Sequence, residues 1–252
     1  HICSVWENGQ YLRTRELAKT EAAFEDLLAR LDTDYVDIGM IHYVDQEEDF
    51  HRVFDGEIIR YAQQLKVDGR IRHIGLSSHN PAVARMAVET GLIDVLMFSI
   101  NPCYDLQPAG EDVDALWADE SYARALHNID PERERLYELC AREGVGIDVM
   151  KVYGGGDLLN DERSPFGRAL PPVQCMEYAL SRPGVAAVMV GSRSQQEMQA
   201  ALEWCTASDA EKDYASTLSG LDKFTWHGHC MYCGHCAPCT VGIDIASVNK
   251  FR

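Results

Sequence analysis

Basic residues are scarce in this chain, which has 23 lysines and arginines against 40 aspartates and glutamates, giving a formal charge of −17. Nucleic acids and anionic membranes attract positive charge, so this balance argues against either as a partner. The sequence also lacks an apolar run of membrane-spanning length, and no basic segment followed by an apolar run opens it as a signal peptide would. We therefore expect a cytoplasmic protein with no membrane or nucleic-acid partner.

A disulfide framework is missing as well. The nine cysteines comprise five scattered residues and four clustered between Cys230 and Cys239. An odd total in a long, cysteine-poor body differs from the pattern of a small secreted scaffold. The composition favours a reducing compartment, in which the clustered thiols serve as ligands.

Short runs rich in Val and Ile alternate with amphipathic helices along the body of the chain. They predict β-strands over 35–42, 71–78, 95–100, 145–152 and 185–192, with a strand stub over 2–5. Strands separated by single helices imply right-handed βαβ units and a parallel sheet. No G-x-G-x-x-G motif is present, which favours a (β/α)8 TIM-type barrel over an open doubly wound sheet. A barrel needs eight strands, so we expect this chain to hold an N-terminally incomplete barrel whose other strands lie upstream of His1.

The first predicted helix follows Thr20, which the pattern makes its N-cap. An apolar face at helical spacing supports this assignment. The residues on that face are Ala23, Leu27, Leu28 and Leu31.

The pattern changes at about residue 206, where one more helix leads into a Cys- and Gly-rich segment without an apolar core of its own. Such a segment needs a metal to fold. We therefore predict two domains, a barrel over 1–205 and a small iron–sulfur module over 206–252.

Four cysteines of this segment are spaced three residues apart: Cys230, Cys233, Cys236 and Cys239. Three thiolates in C-x2-C-x2-C wrap one face of a cubane. The spacing favours one [4Fe-4S] cluster, held by these four or by three of them with Cys205. Zinc is the alternative, although structural zinc sites usually pair two knuckles across a longer loop. Nitrogen ligands for zinc would come from His227, His229 and His235.

Four motifs in order resemble the aldo/keto reductase family. They are LLARLDTDYVDIGMIHYVD over 27–45, GRIRHIGLSSHN over 69–80, FSINPCYD over 98–105 and VAAVMVGSRSQQEMQAAL over 185–202. The cysteine run followed by GIDI is similar to a branch of that family with an iron–sulfur module. Any one motif is weak, but the ordered set covers nearly the whole chain.

The resemblance implies a (β/α)8 barrel that binds NADPH at the carboxyl ends of its strands and reduces a carbonyl by hydride transfer. The family's catalytic set is Asp, Tyr, Lys and His. His42 matches the His, with a role in orienting or polarising the carbonyl, and His1 falls near the position of the Lys. A terminal residue without a role is the alternative for His1. The family's Asp and Tyr would lie upstream of His1, so we leave open whether these 252 residues form an active enzyme.

The resemblance also implies a nicotinamide site. Ser77, Ser78 and Asn101 match positions that hydrogen-bond the nicotinamide amide, although strand-end capping equally explains such residues. Lys151 stands where many members stack an aromatic ring on the nicotinamide, which puts binding of that ring in doubt.

A loop before the last large helix completes the predicted cofactor site. Gly191, Ser192 and Arg193 could take a phosphate at the helix N-terminus. Ser194 as a plain N-cap is the alternative interpretation, and the two are compatible. NAD(P)H is therefore a candidate cofactor beside the cluster.

Two functions stay open on the sequence. The first is an aldo/keto reductase-like oxidoreductase with a single [4Fe-4S] cluster, which reduces a small-molecule carbonyl substrate or passes electrons to a partner. The second is a non-catalytic iron–sulfur electron-transfer or scaffold protein built on a degenerate barrel.

Overall fold

The computed structural model describes residues 1–7, 10–107, 126–219, 224–225, 236, 239–245 and 248 of the chain. They belong to two compact units, the first made of His1–Phe98 with Glu143–Val145 and the second of Ser99–Arg142 with Gly146–Arg252. The predicted boundary at residue 205 lies inside the second unit, and the separate module stays a prediction. In the described ranges, no helix combines the length and the apolar character needed to cross a bilayer.

The first unit begins with an antiparallel hairpin that the sequence analysis did not predict, followed by parallel strands alternating with helices. β3 pairs with β4 and β4 with β5, all in parallel. The three strands predicted in this region are therefore confirmed, with ends that shift by one residue at most. The elements are β1 (Ser4–Glu7), β2 (Gln10–Arg13), α1 (Leu17–Leu31), β3 (Val36–Ile41), α2 (Glu47–Phe54), α3 (Glu57–Val67), β4 (Ile71–Ser78), α4 (Pro81–Glu89) and β5 (Val95–Ser99).

The predicted strand stub over 2–5 divides between two pairings: Ser4 and Val5 belong to β1, and Ile2 alone pairs with the end of β3. Ile2 forms an isolated parallel bridge with Ile41, in which the Ile2 N–H donates to the Met40 carbonyl at 2.7 Å. The His42 N–H in turn donates to the Ile2 carbonyl at 2.9 Å. Cys3 then adopts a left-handed φ of 67°, and this turn sends the chain into the hairpin instead of further along β3.

The prediction of Thr20 as a helix N-cap is wrong. α1 begins at Leu17 with Glu16 as its N-cap, and the Thr20 N–H already donates to the Glu16 carbonyl at 3.0 Å. The Thr20 side chain is buried at 1% exposure, and its hydroxyl donates to the Cys3 sulfur at 3.9 Å. The Thr20 hydroxyl therefore bonds across the core instead of capping a backbone N–H. α1 begins about one turn earlier in the chain than predicted.

The apolar face of α1 is also narrower than predicted. Phe24 and Leu28 are buried at 1% and 2% exposure, whereas Leu31 is 56% exposed. Each fully buried side chain of this size stabilises the fold by about 1.5–3 kcal/mol. The core of the unit therefore rests on that pair together with the buried faces of β3, β4 and α3, including Ile41, Leu76 and Ala62.

The second unit carries two predicted strands, which pair in parallel with a register shift between Ile147 and Asp148. A separate two-residue pair joins β6 to β9, also in parallel. The elements are α5 (Pro102–Asp105), β6 (Leu126–His127), α6 (Pro131–Glu143), β7 (Gly146–Met150), a 3-10 helix (Gly154–Leu159), α7 (Pro172–Leu180), β8 (Val185–Val188), α8 (Gln195–Leu202), a 3-10 turn (Glu203–Cys205), α9 (Asp209–Lys212), α10 (Tyr214–Ser219) and β9 (Phe224–Thr225).

A buried charged network lies in the core of this unit. Asp105 has no exposed surface and accepts hydrogen bonds from the hydroxyls of Tyr137 at 2.6 Å and Tyr178 at 2.9 Å. The Arg133 guanidinium, also buried, lies 3.6 Å from the same carboxylate. Burial raises the pKa of Asp105, while the positive charge of Arg133 and the tyrosine hydroxyls oppose that change. Such a group is tolerated in a core only because it is hydrogen-bonded and paired.

Candidate active site

His42 directly follows β3, at the end of a parallel strand, and His1 lies beside it. Their ring centroids are 5.0 Å apart, with the planes inclined by 47°. Both side chains line a cavity of ≈440 Å³, together with Ala23 and Leu27 from α1. The structure therefore brings the two predicted catalytic histidines together within the first unit.

Arg15, which no sequence motif singled out, fixes the backbone next to His42. Its guanidinium donates to both carboxylate oxygens of Asp49, at 2.9 and 2.6 Å. The same group donates to the carbonyls of His42 at 3.0 Å and Tyr43 at 2.7 Å. Since the Arg15 side chain is only 4% exposed, this charge-assisted clamp is strong and geometrically defined.

The His42 imidazole is neutral at neutral pH. Burial, followed by the positive charge of Arg15, lowers the pKa of His42 from 6.5 to about 4. Its Nδ1 is buried and has no hydrogen-bond partner among the described residues. A neutral imidazole retains one N–H donor and can polarise a carbonyl oxygen without transferring a proton.

Ser77 and Ser78 end β4 and are buried at 4% and 0% exposure. The Ser78 hydroxyl donates to the Val44 carbonyl at 2.7 Å, and the Ser77 hydroxyl to the Ile41 carbonyl at 3.4 Å. Both hydroxyls thus connect the ends of β4 and β3, which is the strand-end role that the sequence left open. Their contact with a nicotinamide stays a prediction.

A carboxylate–imidazole pair beside these serines escaped the sequence analysis. Asp45 Oδ2 lies 2.9 Å from His79 Nδ1, and Asp45 Oδ1 accepts the His79 backbone N–H at 2.7 Å. Both residues follow strand ends, β3 and β4, where parallel sheets collect functional groups. That position was the available signal, because Asp45 is three residues after His42 and His79 is next to Ser78.

Asn101, two residues after the end of β5, is an anchor point near the start of the second unit. Its side chain is fully buried; Nδ2 donates to the Lys151 carbonyl at 2.9 Å and Oδ1 accepts the Tyr104 N–H at 3.0 Å. It therefore caps α5 and holds Lys151, which has a left-handed φ of 58°. Contact between Asn101 and a nicotinamide stays a prediction.

The predicted phosphate loop, Gly191–Arg193, connects β8 to α8. All three residues line a cavity of ≈620 Å³ within the second unit, together with Lys151 and Asn160. The Ser192 hydroxyl is buried and has no hydrogen-bond partner among the described residues. The loop thus offers a donor and a guanidinium side chain beside a cavity of the size that small ligands occupy.

The N-terminus of α8 is occupied by the chain itself. Ser194 caps the helix by accepting the Glu197 N–H at 3.1 Å, as its alternative interpretation predicted. The Glu197 carboxylate reaches back to the Arg193 N–H at 2.5 Å. A phosphate that needs this N–H would therefore have to displace Glu197.

The cysteine run falls only partly on described residues. Cys230 and Cys233 lie outside them; Cys236 is exposed and Cys239 is partly exposed. Hydrogen bonds from the backbone N–H groups of Val241 and Ile243 lower the pKa of the Cys239 thiol. Among the described residues no three metal-binding side chains come together. Cys205, the alternative ligand, is exposed after α8.

Two comparisons of sequence point to one family. The sequence model of the aldo/keto reductase family matches residues 7–169. Curated proteins named aldo-keto reductase from Mycobacterium strains JLS and KMS are 30% and 31% identical to this chain over 141 residues. Each match covers 56% of this chain and 40% of the relative, so the chain spans well under half the length of those proteins.

Solved structures of the same name share the fold. An aldo-keto reductase from Bacillus halodurans, in its holo form, aligns with a TM-score of 0.61 at 21% identity, covering 90% of this chain and 74% of that one. An aldo/keto reductase from Brucella melitensis aligns with a TM-score of 0.51 at 16% identity, covering 79% and 67%. This likeness favours the barrel family over the open doubly wound sheet that the sequence left as an alternative.

Proposed function

Because this chain belongs to the aldo/keto reductase family, we propose that it is an oxidoreductase that reduces a small carbonyl compound with a nicotinamide cofactor. The observation that carries the proposal is His42, a neutral imidazole at the end of a parallel strand that opens into a cavity. Its Nδ1 is buried and has no hydrogen-bond partner among the described residues, which supports a role toward a ligand.

His42 would hold the carbonyl oxygen of the substrate through a ring N–H. Since Arg15 holds its backbone carbonyl, the imidazole keeps its position when the substrate enters. His1, 5.0 Å away in the same cavity, would line the other side of the carbonyl group. A bound reduced nicotinamide would supply the hydride.

Several residues of the second unit suit a nicotinamide dinucleotide. Arg193 and the N-terminus of α8 would bind a phosphate, and the Ser192 hydroxyl, which has no partner among the described residues, would donate to it. Ser77, Ser78 and Asn101 each keep the role that the family resemblance implies for them, a hydrogen bond to the nicotinamide amide.

The test is a titration of the protein with NADPH, followed by its intrinsic fluorescence. We expect saturable quenching and a loss of affinity of about tenfold for Arg193→Ala, equivalent to ~1.4 kcal/mol. Arg168→Ala is the matched control, because this substitution removes the same charge at another exposed position. A flat titration of the wild type would remove the nicotinamide from the proposal.

We further propose that Cys230, Cys233, Cys236 and Cys239 hold one [4Fe-4S] cluster. The even spacing supports it, and so does Cys239, whose sulfur receives backbone N–H groups that stabilise a thiolate. When bound, the cluster would transfer single electrons to a partner or fix the C-terminal segment. The described cysteines form no disulfides, which is consistent with a reducing cytoplasm as the compartment.

Metal content tests the cluster directly. Protein purified without oxygen is expected to be brown, with broad absorbance near roughly 400 nm and bound iron and sulfide. The double variant Cys236→Ser/Cys239→Ser should lose both, whereas Cys205→Ser, which changes an exposed thiol outside the run, should keep them. A colourless protein that contains zinc would refute the iron–sulfur assignment.

A non-catalytic iron–sulfur electron-transfer or scaffold protein is the second candidate function. It is favoured by Asn101 and Ser78, whose polar side chains are already engaged within the protein. The two functions separate in one experiment: protein that contains iron but neither binds NADPH nor reduces an aldehyde supports the second.

A further inference from the structure

We propose that Glu197 makes this chain prefer NADH, whose adenosine ribose has a free 2′-hydroxyl, over NADPH, whose ribose carries a 2′-phosphate there. The site of selection is the cavity of ≈620 Å³ in the second unit, which Glu197 lines together with the loop Gly191–Arg193. This inference rests on the proposed binding of a nicotinamide cofactor. It adds which of the two cofactors binds more tightly and which residue decides it.

Two buried hydroxyl groups mark this cavity as a ligand site. Tyr153 lines the cavity and is 8% exposed, yet its hydroxyl has no hydrogen-bond partner among the described residues. The Ser192 hydroxyl, from the loop before α8, is also buried and lacks a partner in the described part of the chain. Since buried polar groups are normally hydrogen-bonded, a polar ligand in the cavity is the partner that both hydroxyls fit. Burial raises the pKa of Tyr153 to about 12, so its hydroxyl keeps its proton and can donate to that ligand.

The loop after β7 leaves room for a ligand next to Tyr153. Gly155 and Gly156 line the same cavity and have left-handed φ values of 70° and 101°. At either glycine, no described atom lies within 4 Å of the place where a Cβ would be. This part of the wall is therefore bare backbone, which a ligand can approach closely.

The start of α8 presents a negative charge to the cavity. The Glu197 carboxylate accepts the Arg193 N–H at 2.5 Å, and the Ser194 hydroxyl accepts the Glu197 N–H at 3.1 Å. These bonds occupy backbone donors that a phosphate at a helix N-terminus would use. A 2′-phosphate brings up to about two further negative charges, so it is repelled by the carboxylate and has to displace it.

The same carboxylate suits a ribose hydroxyl. An ionised carboxylate only accepts hydrogen bonds, and its two oxygens offer more acceptor positions than the Arg193 N–H uses. A neutral 2′-hydroxyl can therefore donate to Glu197 without displacing it. Other dinucleotide sites follow the same chemistry, with an acidic side chain on the 2′-hydroxyl of NAD and an arginine beside the 2′-phosphate of NADP.

Cations also line the cavity, but they act on phosphates that both cofactors carry. Lys151, Arg163 and Arg193 belong to this lining, and the Arg163 guanidinium lies 3.2 Å from the Asp157 carboxylate. NADH and NADPH have the same pyrophosphate, so attraction of that group to the cations raises both affinities alike. The difference between the two cofactors then depends on the charge of Glu197.

The experiment measures the affinities of wild type, Glu197→Gln and Glu203→Gln for NADH and for NADPH by protein fluorescence. The two cofactors differ only by the 2′-phosphate, so the ratio of their affinities isolates its contribution. Glu203→Gln is the matched control, because Glu203 is exposed at the other end of α8 and the substitution changes the net charge equally. Urea unfolding of both variants checks that the fold is retained.

We expect wild type to bind both cofactors saturably and NADH at least about tenfold more tightly, a difference of ~1.4 kcal/mol. In Glu197→Gln the preference should fall to about threefold or less, whereas Glu203→Gln should keep the wild-type ratio. A wild type that binds NADPH as tightly as NADH, a ratio unchanged in Glu197→Gln, or an equal change in Glu203→Gln overturns the role of Glu197 and leaves the reductase proposal standing. A wild type that binds neither cofactor overturns both.

Discussion

Arg15 and Asp49 form a two-pronged ion pair, Nε to Oδ1 at 2.9 Å and Nη2 to Oδ2 at 2.6 Å. Because the same guanidinium binds the carbonyls of His42 and Tyr43, one charged pair joins the start of α1 to the loop after β3. The geometry of the candidate site therefore depends on a residue that touches no predicted ligand.

Replacing Arg15 should destabilise the fold and disturb His42. Arg15→Met leaves Asp49 without its main cation and both loop carbonyls without their donor, at a cost of about 3–5 kcal/mol. Urea unfolding measures this difference. Arg30→Met is the control, because the Arg30–Asp26 pair on α1 is exposed and screened, and its loss should leave stability nearly unchanged. Equal losses in the two variants would contradict the structural role of Arg15.

The depressed pKa of His42 predicts a specific pH dependence of stability. Between about pH 6.5, the ordinary value, and about 4, its value in the fold, the unfolded chain binds a proton that the folded chain does not. The free energy of unfolding should therefore decrease as the pH falls through this window.

The measurement is the difference between wild type and His42→Asn, since carboxylates also titrate in this range. The variant should show a flatter curve between pH 6.5 and 4 than wild type does. If the curves of wild type and His42→Asn run parallel, the His42 imidazole of the wild type is not desolvated in the fold.

Tyr178 and Tyr153, two buried tyrosines of the second unit, predict opposite outcomes for the same chemical change. Tyr178→Phe removes a hydrogen bond to the Asp105 carboxylate and should cost about 1.5–3 kcal/mol. Tyr153→Phe removes a buried hydroxyl that has no partner among the described residues, so it should be neutral or stabilising. Thermal or urea unfolding of the pair distinguishes them, and a similar cost for both would argue against the Asp105 network.

Glu197 competes with a phosphate for the start of α8, so neutralising it should favour nucleotide binding. Glu197→Gln removes a negative charge beside the Arg193 N–H and should tighten binding of 2′,5′-ADP by about three- to tenfold. Calorimetric titration gives the affinity. Glu203→Gln, at the other end of the same helix, removes the same charge and should change the affinity little. An equal gain in both variants would point to net charge instead.

Sequence patterns gave the repeating strands and helices of the fold because buried parallel strands have a strong local signal. The strand predicted over 71–78 matches β4 at both ends, since Gly69 and Asn80 mark its limits in the sequence. The hairpin of β1 and β2 also has a local signal, the dipeptide Asn8-Gly9 between the paired residues Glu7 and Gln10, which the sequence analysis did not use. The left-handed turn at Cys3, which directs the chain into this hairpin, has no such local signal. Thr20 failed as a cap because a contact across the core decided its role.

The candidate site was predictable only where a side chain sits at a strand end within a motif. His42 and Ser78 were predicted in this way, whereas Asp45 and His79 became a pair only when two strand ends were placed together in space. Arg15 was invisible for the same reason, since its partner Asp49 is 34 residues away in the chain. Spacing in sequence does not encode such contacts.

The ionisation of Tyr137 and Tyr178, which surround Asp105, would report when the core of the second unit opens at high pH. Burial, and then the nearby carboxylate, raise the pKa of Tyr137 and Tyr178 well above the ordinary value for tyrosine. This pair should remain un-ionised at pH values at which an ordinary tyrosine side chain loses its proton. Their tyrosinate absorbance would appear in a single late step, at the alkalinity where water first reaches the core.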